Sequence, residues 1–203
     1  MLKLYYAPGA CSLSPHIALR EAGLKFELDK VNMQSKKTSS DGDYLEVSPL
    51  GYVPALGLND GHALTEGPAI LQYIADQNPQ AHLAPPNGTP ARYRLQSWLN
   101  FISTEVHKGY SPLFAPTTPD EYKKTVIARL LTRYAQLDKA LAGKQYLMGD
   151  QFTVADGYLF TVTNWANFLK IDLSAYPNVM AFQARVAARP HVQEAMRAEG
   201  LLK

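Results

Sequence analysis

The feature that most constrains this chain is a change of rhythm at one place. Up to about residue 80, short strand-like and helical patterns alternate; beyond the stretch NPQAHLAPPNGTP (78–90) every periodic segment is helical. In the first part LKLYY (2–6) reads as a strand. SPHIALREAG (14–23) reads as a helix, with proline in its first turn and glycine at its end. FELDKVNM (26–33) alternates like a half-buried strand. VPALGL and HALTE flank Asn59-Asp60-Gly61, a hairpin signal, and GPAILQYIADQ (67–77) has an apolar helical face. The order β-α-β-x-β-β-α requires both parallel and antiparallel pairing, because its last two strands form a hairpin.

The Pro, Asn and Gly content of 78–90 marks a boundary. Two domains are expected, residues 1–80 of mixed α/β structure and residues 88–203 wholly helical. In the second, Leu95, Leu99, Ile102 and Val106 form the stripe of one continuous helix from Arg92 to Tyr110. Glu121 to Leu141 is another helix. A third starts at Thr153, whose spacing to Asp156 is that of an N-cap and its N3 partner, and two shorter helices finish the chain.

Charge and cysteine usage narrow the function. Twenty basic and 18 acidic residues are interspersed for a net charge of +2, so nothing favours nucleic acid or an anionic membrane surface. No apolar run reaches membrane-spanning length and the start lacks the character of a signal peptide. The chain has one cysteine, so no intramolecular disulfide forms. A soluble, cytoplasmic protein is the expectation.

That cysteine, Cys11, stands where a helix begins. Unpaired N–H groups and the positive end of the helix dipole favour a thiolate there, its own or that of a bound thiol. The alternative is a small buried hydrophobe. Cys11 is followed at the Cys-x-x-Cys position by Ser14, so a resolving thiol has to come from outside the chain. Lowering a thiol pKa by about two units ionises about 24-fold more of it. The accompanying loss of nucleophilicity is about 8-fold, so activation alone supplies only about 3-fold. Positioning of the electrophile is the larger contribution.

Three further features bear on a thiol ligand. Val53-Pro54 precedes a short strand, with the proline either at the strand start or cis, which exposes the backbone of Val53 to an extended ligand. At Thr65-Glu66-Gly67-Pro68 a strand gives way to a helix. The free N–H groups there suit a carboxylate and Glu66 suits an ammonium, although an acid in a first turn also serves its own helix. Gln96, Asn100, Ser103 and His107 make a polar stripe without Lys or Glu, as a cleft wall would. His107 there can donate a hydrogen bond or share a proton near neutrality. The remaining histidines have no metal-ligand spacing, so no metal is expected.

Taken in order, YYAPGACSLSPHIALREAGL (5–24), SKKT (35–38), SPLGYVPAL (48–56), LTEGPAILQYIAD (64–76), WLNFISTEVHKGYSPLF (98–114) and FTVADGYLF (152–160) resemble the glutathione S-transferases, specifically the bacterial beta class. The resemblance covers essentially the whole chain. It implies a thioredoxin-like N-terminal domain with a mixed four-stranded sheet, an all-helical C-terminal domain, a homodimer, and glutathione as co-substrate. It implies that Cys11 contacts the glutathione sulfur and forms a mixed disulfide with it, with His107 the second residue near the sulfur. Lys36 is matched to the glycyl end. Val53, preceding a cis Pro54, is matched to the cysteinyl backbone, and Glu66 and Gly67 to the γ-glutamyl group. Gly67 departs from the widespread Glu-Ser pattern, so its contact rests on a backbone N–H. Asn100, Ser103 and Thr104 are expected to line the site, some from across the dimer. Tyr110, Phe114 and Trp165 are expected around the electrophile, and Thr153 and Asp156 match a helix cap that serves folding.

The resulting expectation is conjugation of glutathione to small apolar electrophiles, with dehalogenation as a special case. Thiol–disulfide exchange through Cys11 and a non-catalytic binding relative are the alternatives.

Overall fold

The computed structural model describes residues 1–203. Strand β1 (Leu2–Tyr6), helix α1 (Leu13–Glu21) and strand β2 (Phe26–Lys30) form a parallel β-α-β unit. A short helix α2 (Tyr44–Val47), which the sequence pattern did not reveal, precedes strands β3 (Ala55–Gly57) and β4 (Ala63–Thr65) and helix α3 (Gly67–Gln77). The sheet order is β2-β1-β3-β4, with β3 antiparallel to both neighbours. Leu2, Leu4 and Tyr6 alternate onto one face of β1 and enter the main core. On the other face Ala7, Val31, Tyr44, Val53 and Ala55 form a second small core under α2. The Tyr44 hydroxyl donates to the Tyr52 carbonyl at 2.7 Å and so fixes the loop before β3.

Glycine ends α1 as the pattern predicts. Gly23 has φ +63°, and the Leu24 N–H bonds back to the Leu19 carbonyl in a 6→1 closure. The segment 78–90 holds a 3₁₀ turn at Pro79–Ala81, then helix α4 (Pro90–Phe101) starts. The expected single helix from Arg92 to Tyr110 is a correction. A π-helical segment, Ile102–His107, separates α4 from α5 (Lys108–Phe114), which itself contains Pro112. Such segments carry one more residue per hydrogen-bonded turn and commonly fall at functional sites. Helix α6 (Asp120–Leu141) packs beside α5, and α7 (Val154–Phe168) is buried along most of its length.

Asp156 secures the start of α7. Its carboxylate accepts from the backbone N–H groups of Leu147 and Thr153 and from the Thr153 hydroxyl, each at 2.8 Å. Helices α8 (Pro177–Ala187) and α9 (Pro190–Ala198) close the chain. Helix α1 contacts α3, α7 and α9, so the sheet half and the helical half share the 41-residue core. Arg92 reinforces the junction, donating to both carboxylate oxygens of Asp76 at 2.8 Å. No helix is long and apolar enough to cross a membrane.

Candidate active site

Between the two halves lies a cleft of about 560 Å³. Its floor is the turn from β1 into α1. Gly9, at φ +71°, is held there from both sides. Its N–H donates to Glu199 Oε2 at 3.0 Å, and its carbonyl accepts from Trp165 Nε1 at 2.9 Å. Two residues on, the Cys11 thiol donates to the Val53 carbonyl at 3.2 Å. The N–H groups of Cys11 and Ser12 and the Lys108 cation favour a thiolate, as a helix start should. Burial outweighs them and pushes Cys11 up to about 12. Of the alternatives left open by the sequence, a thiolate of its own is disfavoured: Cys11 faces the cleft as a thiol.

The loop before β3 and the turn after β4 supply the other backbone groups. The Val53–Pro54 bond is cis, and Val53 is held in the second core. Where β4 meets α3, Glu66 has φ 68° and ψ 113°, a conformation costing of order 1–3 kcal/mol for a residue with a Cβ. Its side chain is exposed. Gly67 follows at the helix start. A Cβ built there would meet nothing nearer than the Tyr158 ring at 4.0 Å, so a serine would fit, and the missing hydroxyl is not imposed by crowding.

The helical wall comes from the π segment and α7. Ser103 and His107 line the cleft, whereas Asn100 and Thr104 are exposed away from it, with the Thr104 hydroxyl bonded back to the Asn100 carbonyl. The wider π turn explains the difference, because it breaks the α-helical spacing that had put Asn100 and His107 in one stripe. Gln96, also in that stripe, donates instead to Gln72 of α3 at 2.9 Å. His107 Nδ1 lies 2.6 Å from the Tyr158 hydroxyl. Burial, reinforced by Lys108, lowers His107 to about 4, so it is neutral at physiological pH and does not share a proton near neutrality.

Of the remaining expected residues, Pro54 and Trp165 line the cleft. Phe114 stands outside it but edges onto Trp165 at 5.4 Å, and Phe168 extends the aromatic surface. Tyr110 is fully buried, its hydroxyl 2.8 Å from that of Tyr134, and so is no pocket wall. Lys36 lies behind the cleft loop, its ammonium donating to the Gly51 carbonyl at 2.9 Å.

Lys108, Tyr52 and Tyr158 line the cleft without having been expected there. Lys108 follows His107 by one residue, which on an α-helix points elsewhere. Tyr158 reads as one more core aromatic of an apolar helix. The one available signal for Tyr52 was its place inside SPLGYVPAL.

A cleft between a thioredoxin-like sheet half and an all-helical half, with one thiol on its floor, defines the class. The family model described as the glutathione S-transferase N-terminal domain matches residues 9–77, and that for the C-terminal domain matches residues 101–190. The chain belongs to the glutathione S-transferase family and is a glutathione transferase. It is 48% identical over 98% of its length to glutathione S-transferase GstA of Escherichia coli O157:H7, all of which is covered. The bacterial transferase BphK, solved as a ternary complex, is 61% identical with a TM-score of 0.97, over 98% of this chain and 100% of that one. A Sphingomonas chungbukensis enzyme of the bacterial beta class is 50% identical with a TM-score of 0.95, over 98% and 100%.

Proposed function

We propose that the cleft holds glutathione extended along the sheet edge, with its sulfur between Cys11 and His107. The second substrate is a small apolar electrophile resting on Trp165 and Phe114. In this reading Glu66 takes the γ-glutamyl ammonium, and the N–H groups at Gly67 and the start of α3 take its carboxylate. The Val53 N–H and carbonyl pair with the cysteinyl residue, the carbonyl giving up its contact with the Cys11 thiol. Lys36 and Lys108 supply the positive charge for the glycyl carboxylate. The observation that carries the reading is convergence: a neutral thiol, a neutral imidazole, the backbone at the cis Val53–Pro54 bond and a helix N-terminus bearing an unpartnered carboxylate all meet one cleft.

The high pKa of Cys11 makes the glutathione sulfur the nucleophile. It attacks the electrophilic carbon, a C–S bond forms, and the carbon–halogen bond breaks with its electron pair leaving on the halide. The thiol proton passes to solvent. Exposed Asn100 and Thr104 serve a partner's cleft in a homodimer, and a reducing cytoplasm supplies the glutathione. Residues 1–80 form the glutathione-binding domain in this reading, and residues 88–203 the domain lining the electrophile pocket.

The test is steady-state conjugation of a chlorodinitrobenzene-type electrophile beside reduction of a glutathione mixed disulfide. Saturable conjugation, with disulfide reduction much the slower, is expected. Absence of conjugation together with no retention on immobilised glutathione would sink the reading.

A further inference from the structure

The helical wall contains a hydrogen-bonded pair that the sequence motifs did not single out. Tyr158 on α7 is 1% exposed, yet its hydroxyl reaches the cleft. The oxygen lies 2.6 Å from His107 Nδ1. The His107 ring is held edge-on between Tyr158, at 5.8 Å, and Trp165, at 5.0 Å. It therefore cannot turn over without disturbing both.

One arrangement of protons suits this pair best. The tyrosine has a single O–H, and His107 Nδ1 is the one partner found for its oxygen. A phenol is a much stronger donor than a neutral imidazole N–H, and a neutral imidazole nitrogen is a better acceptor than a phenol oxygen. With Nδ1 accepting, the neutral ring carries its proton on Nε2. No protein group partners Nε2, and it is absent from the enclosed unpaired polar atoms, of which Gln183 Oε1 is the one found. Nε2–H thus remains available to the cleft.

We propose that Tyr158 is a positioning residue that locks His107 as a neutral Nε2–H donor toward the sulfur of bound glutathione. This rests on the reading of His107 as a neighbour of that sulfur. A neutral donor aimed where negative charge resides favours the thiolate over the thiol without titrating itself at physiological pH. Burial keeps both partners in the required state, raising Tyr158 and lowering His107.

Two measurements test it. In the unaltered protein bound to glutathione, ¹⁵N NMR of His107 should give an unprotonated Nδ1 and a protonated Nε2; the reverse pattern overturns the proposal whatever the variants do. The second measurement is the thiol titration of bound glutathione, followed by thiolate ultraviolet absorbance in Tyr158→Phe and His107→Gln. Each should raise the bound thiol pKa by about one unit and lower conjugation kcat about tenfold, with little change in KM for glutathione. Combined, they should be no worse than His107→Gln alone, since Tyr158 acts through the imidazole. A shift in His107→Gln without one in Tyr158→Phe removes the positioning role and leaves the site reading standing. No shift in either removes both.

Discussion

The two walls of the cleft use different materials. On the sheet side the cleft presents backbone: the Val53 carbonyl beside a cis proline, the N–H groups where α3 begins, and a strained Glu66 at the strand-to-helix turn. On the helical side the cleft is lined by side chains, Ser103, His107, Lys108, Tyr158 and Trp165, carried on a π segment, α5 and α7. Backbone geometry tolerates sequence drift as long as the strand and helix ends stay put, whereas a side-chain wall changes with each substitution. The first suits a constant substrate such as glutathione. The second suits setting the reactivity of its sulfur and the choice of electrophile.

The largest expected effect attacks the support of the helical wall. Asp156 is wholly buried and satisfies the N–H groups of Leu147 and Thr153. Asp156→Ala orphans two buried donors at about 1–3 kcal/mol each, so a loss of about 2–6 kcal/mol is expected. For a chain of this size that lowers Tm by roughly 4–24 °C in calorimetry. Well below the transition, glutathione affinity should fall little, because the Val53 and Glu66 backbone belongs to the loop before β3 and the turn after β4, although α7 packs on α1 and α3. A large loss of affinity in the folded protein would show that the walls are not separable.

Next, Glu66→Ala removes the one carboxylate of the sheet wall. Loss of a charge-assisted hydrogen bond costs about 1.5–3 kcal/mol, raising the glutathione Kd about 10- to 150-fold by titration calorimetry. Turnover at saturating glutathione should change little. A fall in kcat with unaltered Kd would assign Glu66 to the chemistry instead and erase the division between the walls.

A third effect is set by pH and belongs to the helical wall alone. The folded state keeps His107 neutral down to about 4, whereas the unfolded chain takes up a proton near 6.5. Between these values the unfolded state binds more protons, so stability falls as pH falls through this window. Roughly 2 kcal/mol should be lost from this group between pH 7 and pH 5. Urea unfolding at both pH values should show the loss, and His107→Gln should shrink it by that amount. Equal pH dependence in variant and parent would mean that the imidazole is protonated when folded.

The same division explains what could be read in advance. The sheet wall follows from local sequence grammar: Pro and Gly punctuate its turns, Asn59-Asp60-Gly61 its hairpin, and Thr65-Glu66-Gly67-Pro68 its strand-to-helix switch. The helical wall depends on register and depth, which a one-dimensional period does not carry. Ideal α spacing put Asn100 in the stripe with His107, while the π turn sends Asn100 and Thr104 outward and keeps Ser103. Tyr110 and Tyr158 have the same composition signature of a core tyrosine, and only packing decides that one hydroxyl pairs with Tyr134 and the other with His107. The thiol itself was legible as to place but not as to state. The helix start does favour its anion, yet burial, which no motif reports, wins.

The smallest effect on conjugation is expected from the residue that stands out most in the sequence. With burial pushing it up to about 12, Cys11 is overwhelmingly a thiol at pH 7 and does not compete with a bound glutathione thiolate. Cys11→Ala removes one S–H···O contact to Val53, whose carbonyl is then free for the ligand. Conjugation kcat/KM should therefore change by less than about threefold, well under 1 kcal/mol. Disulfide chemistry behaves oppositely: incubation with glutathione disulfide should yield a mixed-disulfide mass adduct in the parent, slowly, and none in Cys11→Ala. If Cys11→Ala instead abolishes conjugation while glutathione still binds, the sulfur of Cys11 acts directly on the reacting centre. The cleft floor would then join the helical wall as a catalytic element rather than the sheet wall as a binding one.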